Sequence, residues 1–339
     1  MAFRKFIGTL TGTFVAGALG LGVPAQAQTQ ALEAQFDNAL GTEVRAPKSY
    51  KAVYQSPLEQ RIALIADGAQ GRIGVAAVDL SNSEAVTILG DQRFPMASTS
   101  KIAVAATFLE GVEQGKWSLT SEFPLLIPRR SAKFSSAAAP VSEGQYMQAI
   151  DLIEIMITRS SNPATDALLR VVGGPSAVND WMQRNGISEF SIDRDIATLV
   201  RDDGEFDPAS HIDLRDSATP SAMIELLTGL YQGRYLNEQN RRVILSAMSR
   251  TRTGKRRIRY HIPPTANVLH KTGSLNNTSS DIGIIETADG RAIAMAIYVT
   301  GQGSRRAREA KIAAIARALY DGYAAQPRRN WANANYGGE

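Results

Sequence analysis

The sequence predicts an α+β fold: an antiparallel sheet of about five strands, drawn from both ends of the chain and flanked by helices, with an all-helical domain inserted between. Two strand-like runs near the start, three near the end and a long helical middle carry that prediction. The 339 residues, 44% hydrophobic and 21% charged, supply the apolar surface for two packed domains or one large one.

Residues 1–27 read as a cleavable export signal: Arg4 and Lys5 precede the apolar run Phe6 to Val23, and Ala25-Gln26-Ala27 is a small-x-small cleavage site. A retained membrane anchor is the rival reading, but Gly and Thr dilute the run and no stop-transfer pattern follows it. Cleavage leaves Gln28 first, no membrane anchor, and a periplasmic or secreted protein. Residues 28–52 are polar and aperiodic, as in a linker.

An α/β domain is then expected from 53–93 and 218–325, interrupted by a helical domain at 94–217, with a tail at 326–339. Its first part holds a helix over Ser56 to Ala69 and strands over Arg72 to Leu80 and Glu84 to Leu89, split by the turn Ser81-Asn82-Ser83. Helices follow at Ser98 to Val112, Gln148 to Thr158, Pro163 to Val171 and Pro175 to Arg184. Thr219-Pro220, an N-cap before proline, opens a helix to Tyr231, and another runs from Asn237 to Ser249. Strands return at Asn267 to Leu275, Asp281 to Thr287 and Arg291 to Thr300, the last two joined by the hairpin signal Asp289-Gly290, and a helix over Arg305 to Tyr320 closes the domain.

Composition excludes several chemistries. With no Cys there are no disulfides, no thiol catalysis, no thiolate metal site and no Cys-linked lipid. The formal charge of +4 falls to +2 once Arg4 and Lys5 leave with the signal, too little to imply a nucleic-acid partner. The dense basic stretch Arg250 to Arg259 contains no aromatics and reads as a solvated face. His211, His261 and His270 are not spaced as a zinc site, and no G-x-S-x-G is present for a Ser-His-Asp esterase. Neither a metal nor a cofactor is expected.

Ser98-Thr99-Ser100-Lys101 is the chain's S-x-x-K, placed where strand gives way to helix. Residues three apart share a helix face, so Lys101 lies within reach of a serine in the first turn, and the helix N-terminus aims a free N–H at any oxyanion formed there. Alone, the motif also describes a capping serine followed by a surface lysine. Ser160-Ser161-Asn162 lies between two apolar helices and Lys271-Thr272-Gly273-Ser274 lies within a strand, where a glycine permits close approach of another backbone or a ligand.

In this order and spacing the three segments resemble the motif set of class A β-lactamases and penicillin-binding proteins, and the likeness covers residues 56–322. Gly90 to Thr99, Arg215 to Pro220, Thr253 to Arg259 and Ile284 to Gly301 also match in kind. The resemblance implies that Ser98 attacks an amide carbonyl and Lys101 takes its proton, with Ser160 relaying a proton to the leaving nitrogen beside Lys271. It assigns Asn162, Thr272, Gly273, Ser274 and Arg257 to substrate binding, with the N–H groups of Ser98 and Ser274 as the oxyanion hole. Ser280 occupies one place where the family carries a carboxylate-binding arginine, which leaves Arg257 for the other.

Two positions depart from the family. Ser161 stands where Asp is usual. In the omega-like loop 194–216, bracketed by the expected ion pair Arg194 and Asp216, the family's water-activating glutamate aligns with Ile196. Glu205 is the candidate replacement base, with Asp202 and Asp203 beside it. The expected substrates are small β-lactams, with a D,D-peptidase acting on peptidoglycan peptides or a non-catalytic periplasmic binding module as alternatives, and the expected state is a monomer.

Overall fold

A computed structural model describes residues 56–67 and 70–326. The expected signal, the linker and the tail from residue 327 lie outside the described residues. No described helix is long and apolar enough to cross a membrane.

Ser56 opens helix α1 (Pro57–Ala66) with a capping box, its Oγ accepting from Glu59 N while the Glu59 carboxylate accepts from Ser56 N. β1 (Ile73–Asp79) and β2 (Glu84–Ile88) follow as a hairpin. The chain crosses the short strand β3 (Phe94–Pro95) and a 3-10 turn, Ala97–Ser100, into α2 (Lys101–Glu113). α2 is buried on nearly all sides, and Ala103, Ala105 and Ala106 let its neighbours approach closely.

The middle of the chain is mostly helical but contains a hairpin that the sequence reading missed, β4 (Glu122–Pro128) with β5 (Val141–Gln148). Pro124 and Pro128 interrupt one strand and the other is largely solvent-exposed, so no two-residue apolar alternation marks either. Helices α3 (Ala149–Thr158), α4 (Asn162–Val172) and α5 (Pro175–Arg184) come next, then β6 (Phe190–Ser191), the short helix α6 (Ile196–Arg201) and β7 (Ser217–Ala218). β7 pairs with both β3 and β6. α7 (Pro220–Tyr231) starts from the Thr219 cap, and α8 (Glu238–Ser249) from Asn237.

β8 (Asn267–Leu275), β9 (Thr278–Glu286) and β10 (Ala292–Thr300) complete the sheet, and α9 (Arg305–Ala324) closes the chain. Strand order is β2-β1-β10-β9-β8, antiparallel throughout, as the fold class requires. Central β10 shows why it reads as one apolar run: Ala294, Ala296 and Tyr298 enter the core under the inserted helices, while Ile293, Met295, Ile297 and Val299 enter the core under α1 and α9. Near the end of the described residues, Arg291 donates to the carbonyl of Gln326. β8 is an edge strand, and it carries the lysine motif.

Candidate active site

The Ala97–Ser100 turn is locked before α2 begins. Thr99 donates to Met96 O from both its N–H and its hydroxyl, the latter at 2.8 Å, and Ser100 Oγ donates to Ala97 O at 2.9 Å. Ala97 adopts a φ of +50°, unusual for a residue with a side chain and typical of strained functional turns. Ser98 is the one residue of the turn that is not buried.

Lys101 follows, fully buried, with Nζ donating to Ser160 O at 2.8 Å, Asn162 Oδ1 at 2.7 Å and Ser160 Oγ at 3.3 Å. No described hydrogen bond ties Lys101 to Ser98 Oγ. The Ser160 backbone is itself left-handed, φ +59°, in the turn between α3 and α4. Ser161, where the family carries Asp, caps α4 by accepting from Ala164 N at 3.3 Å.

From the opposite wall, Lys271 Nζ donates to the same Ser160 Oγ at 2.9 Å and to Thr272 O at 2.8 Å. Gly273 explains how β8 comes this close: a Cβ there would lie 2.5 Å from Met96 O and 2.4 Å from Ser280 Oγ. Glycine is required because the strand abuts the backbone just before the Ala97–Ser100 turn. His270 faces away from Lys271 as strand alternation requires, its Nδ1 bonded to the Asp281 carboxylate.

Burial sets the electrostatics. It pushes the Lys101 ammonium down to about 7, against the opposing charge of Asp166. Lys271 is pushed well below its ordinary value by burial and then by the neighbouring Lys101 charge. Two ammonium groups on one hydroxyl repel, so a neutral amine is accessible near neutral pH.

The other expected residues are placed as follows. Thr272 is buried, its hydroxyl 2.6 Å from that of Thr253, and Ser274 is exposed at the end of β8. Arg257 does not lie on a solvated face: it is 1% exposed, its Nη1 donating to Gly273 O and Ser280 O and its Nη2 to Ser274 Oγ at 2.6 Å, with Glu309 alongside. It therefore meets the site through Ser274. Arg194 and Asp216 form the loop pair at 2.6 Å, and Asp216 also accepts from the N–H groups of Asp193 and Arg194.

The loop acids are engaged elsewhere. Glu205 pairs with Arg215 at 2.7 Å, Asp202 with Arg201 and Phe134 N, and Asp203 accepts from Asn276 N. None of them hydrogen-bonds Ser98, Lys101, Ser160 or Lys271 among the described residues. The acid whose charge acts on Lys101 is Asp166, which the sequence reading missed; the one acting on Lys271 is Asp281. Asp166 sits four residues after Asn162 on α4, and its two oxygens accept from Ile196 N at 2.7 Å and Ala197 N at 2.9 Å. The i, i+4 spacing from the S-x-N motif was the available signal. Burial raises its carboxyl to about 7, opposed by those two N–H donors and by the Lys101 charge.

A five-stranded antiparallel sheet whose edge strand brings Lys271 to Ser160, opposite a buried S-x-x-K helix, is the arrangement of a serine–lysine enzyme. The comparisons with known proteins make this specific. The Beta-lactamase enzyme family matches residues 57–323, and this chain belongs to that family. It is 30% identical to Beta-lactamase CARB-3 of Pseudomonas aeruginosa over 80% of this chain and 92% of that protein. It is 28% identical to the extended-spectrum beta-lactamase PER-1 of the same organism over 80% and 89%. Among solved structures, a beta-lactamase from Chitinophaga pinensis matches with a TM-score of 0.69 and 27% identity, covering 79% of this chain and all (100%) of that one. An ancestral class A beta-lactamase matches with a TM-score of 0.66 and 30% identity over 78% and 99%.

Proposed function

We propose that this chain is an exported serine β-lactamase-like hydrolase that opens the β-lactam ring through an acyl-enzyme on Ser98 and releases it slowly. The observation that carries the reading is the convergence of Lys101 and Lys271 on Ser160 Oγ beside the strained turn of Ser98.

In this reading, neutral Lys101 accepts the Ser98 proton as Oγ bonds to the ring carbonyl carbon, and the developing oxyanion is held by the N–H groups of Ser98 and Ser274. The C–N bond then breaks, and the nitrogen receives a proton from Ser160, whose hydroxyl is resupplied from the lysines bonded to it. Asn162 orients Lys101 and meets the substrate's side-chain amide. Thr272 and Ser274, the latter polarised by Arg257, take its carboxylate. Arg194 and Asp216 keep the loop in place.

The second half of the cycle lacks its base. Ile196 has no group that can activate water, and Asp166 has both oxygens committed to loop N–H donors. This favours a penicillin-acylated D,D-peptidase as the second reading. Peptide mapping after incubation with benzylpenicillin tests the proposal: an adduct is expected on Ser98, and unlabelled protein contradicts it. Release of D-alanine from a pentapeptide faster than penicillin hydrolysis favours the peptidase, and a chain that does neither is a binding module.

A further inference from the structure

The mechanism above leaves Asp166 without a chemical role, although it is buried within one helical turn of the residue that holds the catalytic lysine. Asn162 and Asp166 share a face of α4, and Asn162 Oδ1 takes the Lys101 ammonium at 2.7 Å. One turn further, the Asp166 carboxylate closes the N-terminus of α6 by accepting from the N–H groups of Ile196 and Ala197. Asp195 caps the same helix through Thr198 N at 2.7 Å.

We propose that Asp166 is the counter-charge that sets the protonation of Lys101, a positioning residue acting through that amine, from beneath the loop segment where the family's glutamate stands. The proposal rests on the reading of Ser98 and Lys101 as an acylating pair. Burial favours the neutral Asp166 carboxyl and raises it to about 7, while the two backbone donors oppose that shift, and in its ionised form a negative charge near Lys101 favours the ammonium. The influence is mutual: Asp166 raises Lys101 against its burial, and Lys101 lowers Asp166 against its own.

The groups that face this pair come from every side. Asp195 on the loop raises Asp166 by like-charge repulsion. Lys271 on β8 is coupled to Lys101, with Asp281 and Arg257 behind it. Asp166 thus takes over the electrostatic half of the glutamate's work, holding a counter-charge near the lysine, while its committed oxygens leave the water-activating half undone. Ser98 still passes its proton to the neutral Lys101 amine, and the ammonium so formed favours the ionised form of Asp166.

The structural alternative is that Asp166 only caps α6, and pH separates the two. The acylation rate with a chromogenic cephalosporin is measured by stopped flow from pH 5 to 9. Asp166→Asn should move the rising limb to lower pH by about one unit or more, the usual size for losing a nearby opposite charge. Asp195→Asn keeps a good cap and removes the repulsion on Asp166, so Asp166 ionises more readily and the limb should move to higher pH. Removing a negative charge that acted on Lys101 directly would move it the other way.

A folded Asp166→Asn with an unmoved limb overturns the inference, as does an Asp195→Asn limb that stays put or falls. If Asp166→Asn cannot be recovered folded, Asp195→Asn decides alone. A wild type that never acylates instead removes the underlying reading of Ser98.

Discussion

The two walls of the site are built to different standards. On one, Lys101, Ser160, Asn162 and Lys271 come from three separated stretches of chain and close, beside Ser98, into a network with hydrogen bonds of 2.7–3.3 Å from the two lysines. On the other, the loop 194–216 is equally well tied, but the described bonds of its acids hold the loop to itself or to neighbouring segments and not to the lysine network: Asp216 to Arg194, Asp202 to Arg201 and Phe134 N, Asp203 to Asn276 N, Glu205 to Arg215. The contrast teaches that order and catalytic competence are separate properties. In the proposed reading, the loop keeps its bracketing ion pair and lacks a water-activating group.

The largest expected effect breaks the first wall outright. Ser98→Ala should abolish covalent labelling by penicillin while costing little stability, since it removes one half-exposed hydroxyl from a turn whose bonds come from Thr99 and Ser100. Intact mass and a thermal melt of the same sample check both halves. Lys271→Ala comes next: it removes a buried charge from the proton relay and should slow acylation by roughly 10²–10³, the scale of losing one preorganised electrostatic group. Acylation at the wild-type rate would mean that β8 does not serve the reaction.

Arg257→Ala should weaken binding of carboxylate-bearing β-lactams more than of their uncharged esters, by about 1.5–3 kcal/mol, the value of a charge-assisted hydrogen bond. Comparing acylation efficiency for an acid and its ester reads this directly, and equal losses would make Arg257 a purely structural tie. The smallest effect concerns the second wall: Glu205→Gln should leave the release rate unchanged, because Glu205 is committed to Arg215. A further slowing of release in this variant would show that the loop supplies a base after all.

Much of this was legible in the sequence where chemistry repeats locally. Thr219-Pro220 and Asn237 capped the helices they announced, Asn267 to Leu275 is the observed β8, and Gly273 permits the close approach expected of a strand glycine. The β4–β5 hairpin was not legible because a mostly exposed strand has no apolar face to alternate. Arg257 stood out from its basic run only through the family resemblance, and only the packing of β8 and β9 shows it buried between two strand carbonyls. Asp166 was invisible for a related reason: an acid in an apolar helix announces its partner only when the loop 30 residues later folds against it.

The central claim is that the acylating wall is complete and the water-activating one is not. A positioned general base contributes typically 10²–10⁴-fold, so its loss should leave the acyl-enzyme as the accumulating species. Time-resolved intact mass after mixing with benzylpenicillin measures both steps at once. The account predicts about one equivalent of adduct forming quickly and decaying slowly, with product appearing as a burst and then at the decay rate. Rapid, linear turnover with no detectable adduct would contradict it.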